Sequence, residues 1–110
     1  GIGLVRRSAD GLMDAALPDD RLAALTKLLD AETAAAGGEW HALRTRVAGA
    51  RTFISVHILV PGQWSVARGH GLCEHLEAAI VAEIPRSTVL THLEPVEDPR
   101  AHNDAGLDRE

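Results

Sequence analysis

The sequence predicts an α+β domain, a three-stranded sheet carrying two helices on one of its faces. Three observations predict it. Two segments space their apolar residues at helical intervals, three shorter segments alternate or are rich in β-branched residues, and Gly or Pro interrupts the chain between them. Their order is helix, strand, strand, helix, strand, which leaves the second face of the sheet to be covered by something else or to be functional.

The first 17 residues, with Arg6-Arg7 and Asp10-Gly11, lack a core pattern and read as a linker. Pro18 followed by Asp19-Asp20 places a rigid residue and two negative charges where a helix N-terminus favours them. A helix is expected from about 19, with Leu22, Leu25, Leu28 and Leu29 as its apolar stripe, until Gly37-Gly38 stops it near 36. From His41 to Val47 strict alternation places His41, Leu43, Thr45 and Val47 on one side and Ala42, Arg44 and Arg46 on the other. Ala48-Gly49-Ala50 turns the chain into the run from Thr52 to Val60, so the two strands form a hairpin. Ile54, Val56, Ile58 and Val60 share one face of that second strand, and Phe53, Ser55, His57 and Leu59 the other.

Pro61-Gly62 breaks the strand, and Ser65 is placed to cap a helix running to about Glu83. Leu72, Cys73, Leu76, Ala79 and Ile80 fall on its apolar side, with His70, Glu74 and Glu77 on the polar flank. Pro85 ends that helix, residues 87 to 94 form the last strand, and Pro95 closes it. Residues 96–110 are charged and nearly free of apolar side chains, as a disordered acidic tail would be.

Composition narrows the function. At 110 residues and 45% hydrophobic content the chain is one domain with a single small core. A net charge of −5 with 3% aromatic residues argues against a nucleic-acid surface, which needs basic clusters and stacking rings. One cysteine, Cys73, excludes an internal disulfide and fits a reducing compartment. No apolar run approaches a membrane span, and a start on Gly-Ile-Gly reads as an excised fragment.

The chemistry lies in the histidines. His92 and Glu94 are two apart in a strand, so the pleat aims both at one side. If the second and third strands share a sheet, His57 joins them, and His41 at the start of the first strand reaches the edge of the group. Imidazole beside carboxylate suits a divalent metal. A lone histidine would ordinarily be a surface or core residue; several on one face need a common reason. His70, on a helix, looks remote. Cys73 reads as a small core residue, His75 as solvent-facing, and Glu74 and Glu77 as a solvated helix face that could also orient His70. Trp40 and Trp64 read as cover for the core or as part of a protomer contact. His102 lies in the tail and is excluded. A zinc hydrolase with Glu94 as base is the alternative of another class, weakened by the lack of an H-E-x-x-H or comparable signature. A metal-independent dimerisation module is the third.

Taken in order, Leu12-Met13-Asp14 with Pro18, His41-Ala-Leu-Arg-Thr-Arg-Val-Ala-Gly49, Phe53-Ile-Ser-Val-His57, His70 with Leu76-Glu77-Ala-Ala-Ile80, and Val89-Leu-Thr-His92-Leu-Glu94-Pro95 resemble the cytoplasmic C-terminal domain of cation diffusion facilitator transporters. The resemblance covers roughly residues 4 to 95. It implies a ferredoxin-like, metallochaperone-like αββαβ domain over 18–95 that forms a homodimer beneath its own N-terminal transmembrane domain, on the cytoplasmic side of the membrane. By matched position the implied metal ligands are His41, His57, His70, His92 and Glu94, with His70 completing the site across protomers and Glu94 able to bridge two ions. The implied ion is divalent, Zn²⁺ first, with Fe²⁺, Mn²⁺, Co²⁺ and Cd²⁺ as alternatives. The implied role is regulatory rather than enzymatic.

Overall fold

Residues 15–98 are described by a computed structural model, and their elements follow the expected order. They are α1 (Asp19–Ala36), β1 (Glu39–Ala48), β2 (Arg51–Val60), α2 (Val66–Glu83) and β3 (Ser87–Pro95). The expected linker and tail lie, apart from residues 15–17 and 96–98, outside the described residues.

The sequence punctuation acts as physics requires. α1 starts behind Pro18 with Asp19 and Asp20 in its first turn, and ends where Gly37 adopts φ 87. The Gly37 and Gly38 amides then donate back to the carbonyls of Ala34 and Thr33, satisfying groups a helix end would leave open. The Ser65 side chain accepts from the Arg68 amide at 3.1 Å and caps α2. Between β1 and β2 only Gly49 and Ala50 remain as a turn, with Gly49 at φ 62 in the first central position, where two-residue hairpins demand positive φ.

The sheet order is β1-β2-β3. β1 runs antiparallel to β2, and β3 runs parallel to it after the α2 crossover. Ile54, Val56, Ile58 and Val60 on β2 are buried against Leu25 and Leu29 of α1 and Leu72, Cys73, Leu76 and Ile80 of α2. The core therefore lies on one face of the sheet. The chain enters along the edge of β1, where Ala15 exchanges both backbone hydrogen bonds with Val47 at 2.7 and 2.8 Å, and Leu17 is buried in the core. Beyond β3 the Val96 amide donates to the Val60 carbonyl, and the Glu97 carboxylate accepts from the Gly62 amide at 2.9 Å.

One expectation fails. Alternation along 41–47 puts His41 on the side of Thr45 and Val47, but the structure puts it on the opposite side. His41 pairs with His57 while Arg44 pairs with Ser55, so β1 spends three residues where β2 spends two. The extra residue forms a bulge at Ala42-Leu43, and Ala42 takes φ 55, the left-handed region an alanine seldom occupies. The bulge inverts the phase of the strand. Thr45 and Val47 keep their places opposite Ile54 and Thr52, whereas His41, Arg44 and Arg46 fall on the open face.

Candidate metal centre

Paired residues of neighbouring strands share a face, so the ladder registers place the histidines without reference to side-chain conformation. His41 pairs with His57, and His57 with His92. Each strand thus contributes one histidine to a single row across the open face. Ring centroids are 5.3 Å apart for His41 and His57 and 4.9 Å for His57 and His92. Glu94 belongs to the adjacent row, paired with Leu59, and its side chain lies among the three rings.

Its carboxylate oxygens are 3.2 Å from His57 Nδ1, 3.7 Å from His41 Nε2 and 3.7 Å from His92 Nε2. Two donors each about 2.1 Å from a common ion stand at most about 4.2 Å apart, so these separations fit a shared divalent cation. Burial grades the cluster. The Glu94 side chain is 8% exposed, His41 and His57 are 17% and 19%, and His92 is 63%. Among the described residues Glu94 Oε2 is shut off from solvent with no hydrogen-bond partner, an arrangement that costs free energy unless a positive centre meets it. His41, His57 and Glu94 can bring one donor atom apiece within 4.8 Å of one another, and imidazole with carboxylate is a donor set that Zn²⁺ accepts.

His70 lies apart from this group. It is on α2, 67% exposed, with Nε2 2.9 Å from the Glu74 carboxylate one turn on. Glu77 does not join that pair; it accepts a 2.6 Å hydrogen bond from Thr91 Oγ1 on β3. Cys73 is buried in the core as expected, and that burial, only partly offset by its hydrogen bond with Thr91, pushes its thiol up from the ordinary range. His75 is exposed as expected, yet it also ties the helices together through Glu32 on α1 at 2.9 Å. Of the two tryptophans, Trp40 packs on the core and donates from Nε1 to Asp30 at 2.8 Å, and Trp64 packs on the core beneath the Arg68 guanidinium.

The other half of the open face carries different chemistry. A groove of about 710 Å³ runs along Arg44, Arg46, Phe53, Ser55, Thr88 and Leu90. Leu90 is 69% exposed, and Arg46 stacks over the Phe53 ring.

Two helices on one sheet face, with histidines and a buried carboxylate gathered on the other, define an α+β domain that collects imidazole and carboxylate groups outside its core. The chain belongs to the family of cytoplasmic domains of cation efflux proteins, whose profile matches residues 17–96. An uncharacterised transporter of Synechocystis sp. is 49% identical over 102 residues, covering 92% of this chain and 32% of the relative. The cation-efflux pump FieF of Cronobacter sakazakii is 34% identical over 84 residues, covering 76% of this chain and 27% of the pump. Among solved structures, CzrB in its Zn form aligns with a TM-score of 0.70 at 32% identity, covering 78% of this chain and 97% of that one. The metal-bound C-terminal domain of the CzcD transporter from Thermotoga maritima shares the fold, with a TM-score of 0.62 at 22% identity over 76% of this chain and 99% of that domain. The chain spans about a third of the length of the transporters it matches. These relatives are transporters and not enzymes, which sets the hydrolase alternative aside. Among the described residues no helix is long and apolar enough to cross a membrane.

Proposed function

We propose that this domain is the metal-responsive regulatory part of a divalent-cation efflux transporter, binding Zn²⁺ or a related ion between two copies of itself and thereby stabilising the active dimer. The observation that carries the proposal is the row His41–His57–His92 with Glu94 set among its rings. CzrB, solved in a Zn form, supports Zn²⁺ as the first ion to try. Fe²⁺, Mn²⁺, Co²⁺ and Cd²⁺ accept the same donors less selectively.

In this reading Glu94 supplies the negative charge, and His41, His57 and His92 supply neutral nitrogens from three strands. Ligation cross-links those strands, so binding free energy becomes folding free energy. His70, exposed and paired among the described residues with Glu74 one turn on, is placed to reach a second copy. The open face suits such a copy, because Leu90 and Phe53 offer apolar area rimmed by Arg44 and Arg46. A metal that binds one dimer arrangement better than another shifts the population toward it, and the attached N-terminal transmembrane domain on the cytoplasmic side of the membrane would feel that shift.

The test is calorimetric titration of the metal-stripped chain with Zn²⁺ and the other ions, with sedimentation at each end point. Tight binding that His57→Ala removes, together with a metal-dependent change in the dimer, is the expected result. A dimer that binds no metal would establish a metal-independent dimerisation module instead.

A further inference from the structure

The N-terminal end of β1 has two ways to lie on β2, and only one presents His41. In the observed register Trp40 pairs with Ile58 on the helix-facing side, His41 pairs with His57 on the open side, and Ala42 and Leu43 together oppose Val56. In an unbulged strand the segment would slide by one residue. Ala42 would then oppose His57, His41 would oppose Ile58 on the helix-facing side, and Trp40 would turn outward opposite Leu59. A one-residue slip moves every side chain of the segment to the other face.

The bulged register requires Ala42 at φ 55, which sterics oppose in any residue with a Cβ and oppose most when that residue is β-branched. Something must hold it. Trp40 does so from the other side of the sheet, with its ring against the core and Nε1 donating to Asp30 of α1. Slippage would withdraw the ring from the core and break that hydrogen bond. We propose that Trp40 is a positioning residue for the metal centre and Ala42 its hinge: α1, gripping Trp40, enforces the bulge that turns His41 toward Glu94. This deepens the metal-binding reading, on which its consequence for affinity rests.

Cross-strand nuclear Overhauser contacts in the metal-free chain report the register directly, and Zn²⁺ titration reports its effect. Ala42→Gly should keep His41 opposite His57 and keep the affinity, since glycine accepts the left-handed conformation. Ala42→Val and Trp40→Ala should bring His41 opposite Ile58 and weaken Zn²⁺ binding by about 10- to 100-fold, the range seen when a ligand loses its support. Adding His41→Ala to either should cost nothing further, which a merely structural defect would not produce. Deleting Ala42 removes the extra residue without moving Trp40, so that variant should pair His41 with His57 in a regular strand; it keeps the test open should Ala42→Val fail to fold. Contacts of His41 with His57 in Trp40→Ala at unchanged affinity, or loss of that pairing on deletion of Ala42, would overturn the proposal. Should the unmodified chain bind no Zn²⁺, the metal reading fails while the Overhauser contacts still decide the register.

Discussion

The two faces of β2 are made by alternate residues of one ten-residue strand, and they differ in almost every physical respect. Ile54, Val56, Ile58 and Val60 are 0–4% exposed beneath the helices. Phe53, Ser55 and His57 on the other face remain half-buried, Leu59 beyond them is buried beside Glu94, and around them stand the histidine row and the arginines. The buried face is aliphatic apart from Thr52 near its start, and the helices cover it. The open face concentrates buried charge at one end and exposed apolar and cationic groups at the other. In the proposed reading, stability and function are thus separated by a half-turn of the pleat, a distance of one residue.

That separation is strongest if substitutions on the two faces act on different measurements. Ile58→Ala should destabilise the chain by about 2–5 kcal/mol in urea unfolding, because it empties a fully buried site beside His57 on the chain yet on the other side of the sheet. Zn²⁺ affinity of its folded population should hardly change. On the open face, Zn²⁺ at one hundred times its Kd should stabilise the chain by about 2.7 kcal/mol, visible as a raised melting temperature. His57→Ala should abolish most of that gain while moving metal-free stability by less than about 1 kcal/mol. An equal loss of metal-free stability in both variants would erase the contrast.

Two smaller effects sharpen it. Apparent Zn²⁺ affinity should fall between about pH 7 and pH 5, since imidazole must be unprotonated to coordinate and protons then compete with the metal. A flat affinity profile would point to carboxylates alone. On the buried face, Cys73 has its thiol pushed upward by burial, so its reactive thiolate is scarce at neutral pH. Alkylation should be slow in the folded chain and become fast in urea; rapid modification without denaturant would show that the core is open at α2.

Much of the fold was readable because its boundaries are local chemistry. Pro18, Gly37-Gly38, Pro61-Gly62, Ser65 and Pro85 mark ends of elements by their own backbone preferences, and β2 announces its helix-facing side in the alternate Ile54, Val56, Ile58 and Val60. The phase of β1 was not readable, because left-handed conformation at a bulge is usually signalled by glycine and the residue there is Ala42. The pleat put His92 and Glu94 on one side, and that required only two residues of spacing. The alignment of His41, His57 and His92 depends on two ladder registers, one spanning a helix crossover, and no local pattern encodes it. The tie between His75 and Glu32 was hidden for the same reason, since the partners are 43 residues apart. His70 stays outside the cluster in a single chain, so the part proposed for it depends on a second copy.

The bridge between Ala15 and Val47 has a mechanical consequence. The chain arriving from the N-terminal side is fastened, by two short hydrogen bonds, to the strand that bears His41. Val47 and His41 are six positions apart, and because of the bulge they span the five positions from Thr52 to His57 opposite, roughly 17 Å at the usual rise. A pull on the arriving chain therefore loads β1 lengthwise, so the hydrogen bonds to β2 share the force in shear and do not open one after another. Between the entrance and the histidine row lies the bulge at Ala42, so motion at the entrance reaches His41 through that irregular joint, and a cross-link of His41 to its neighbouring strands would brace the joint against it.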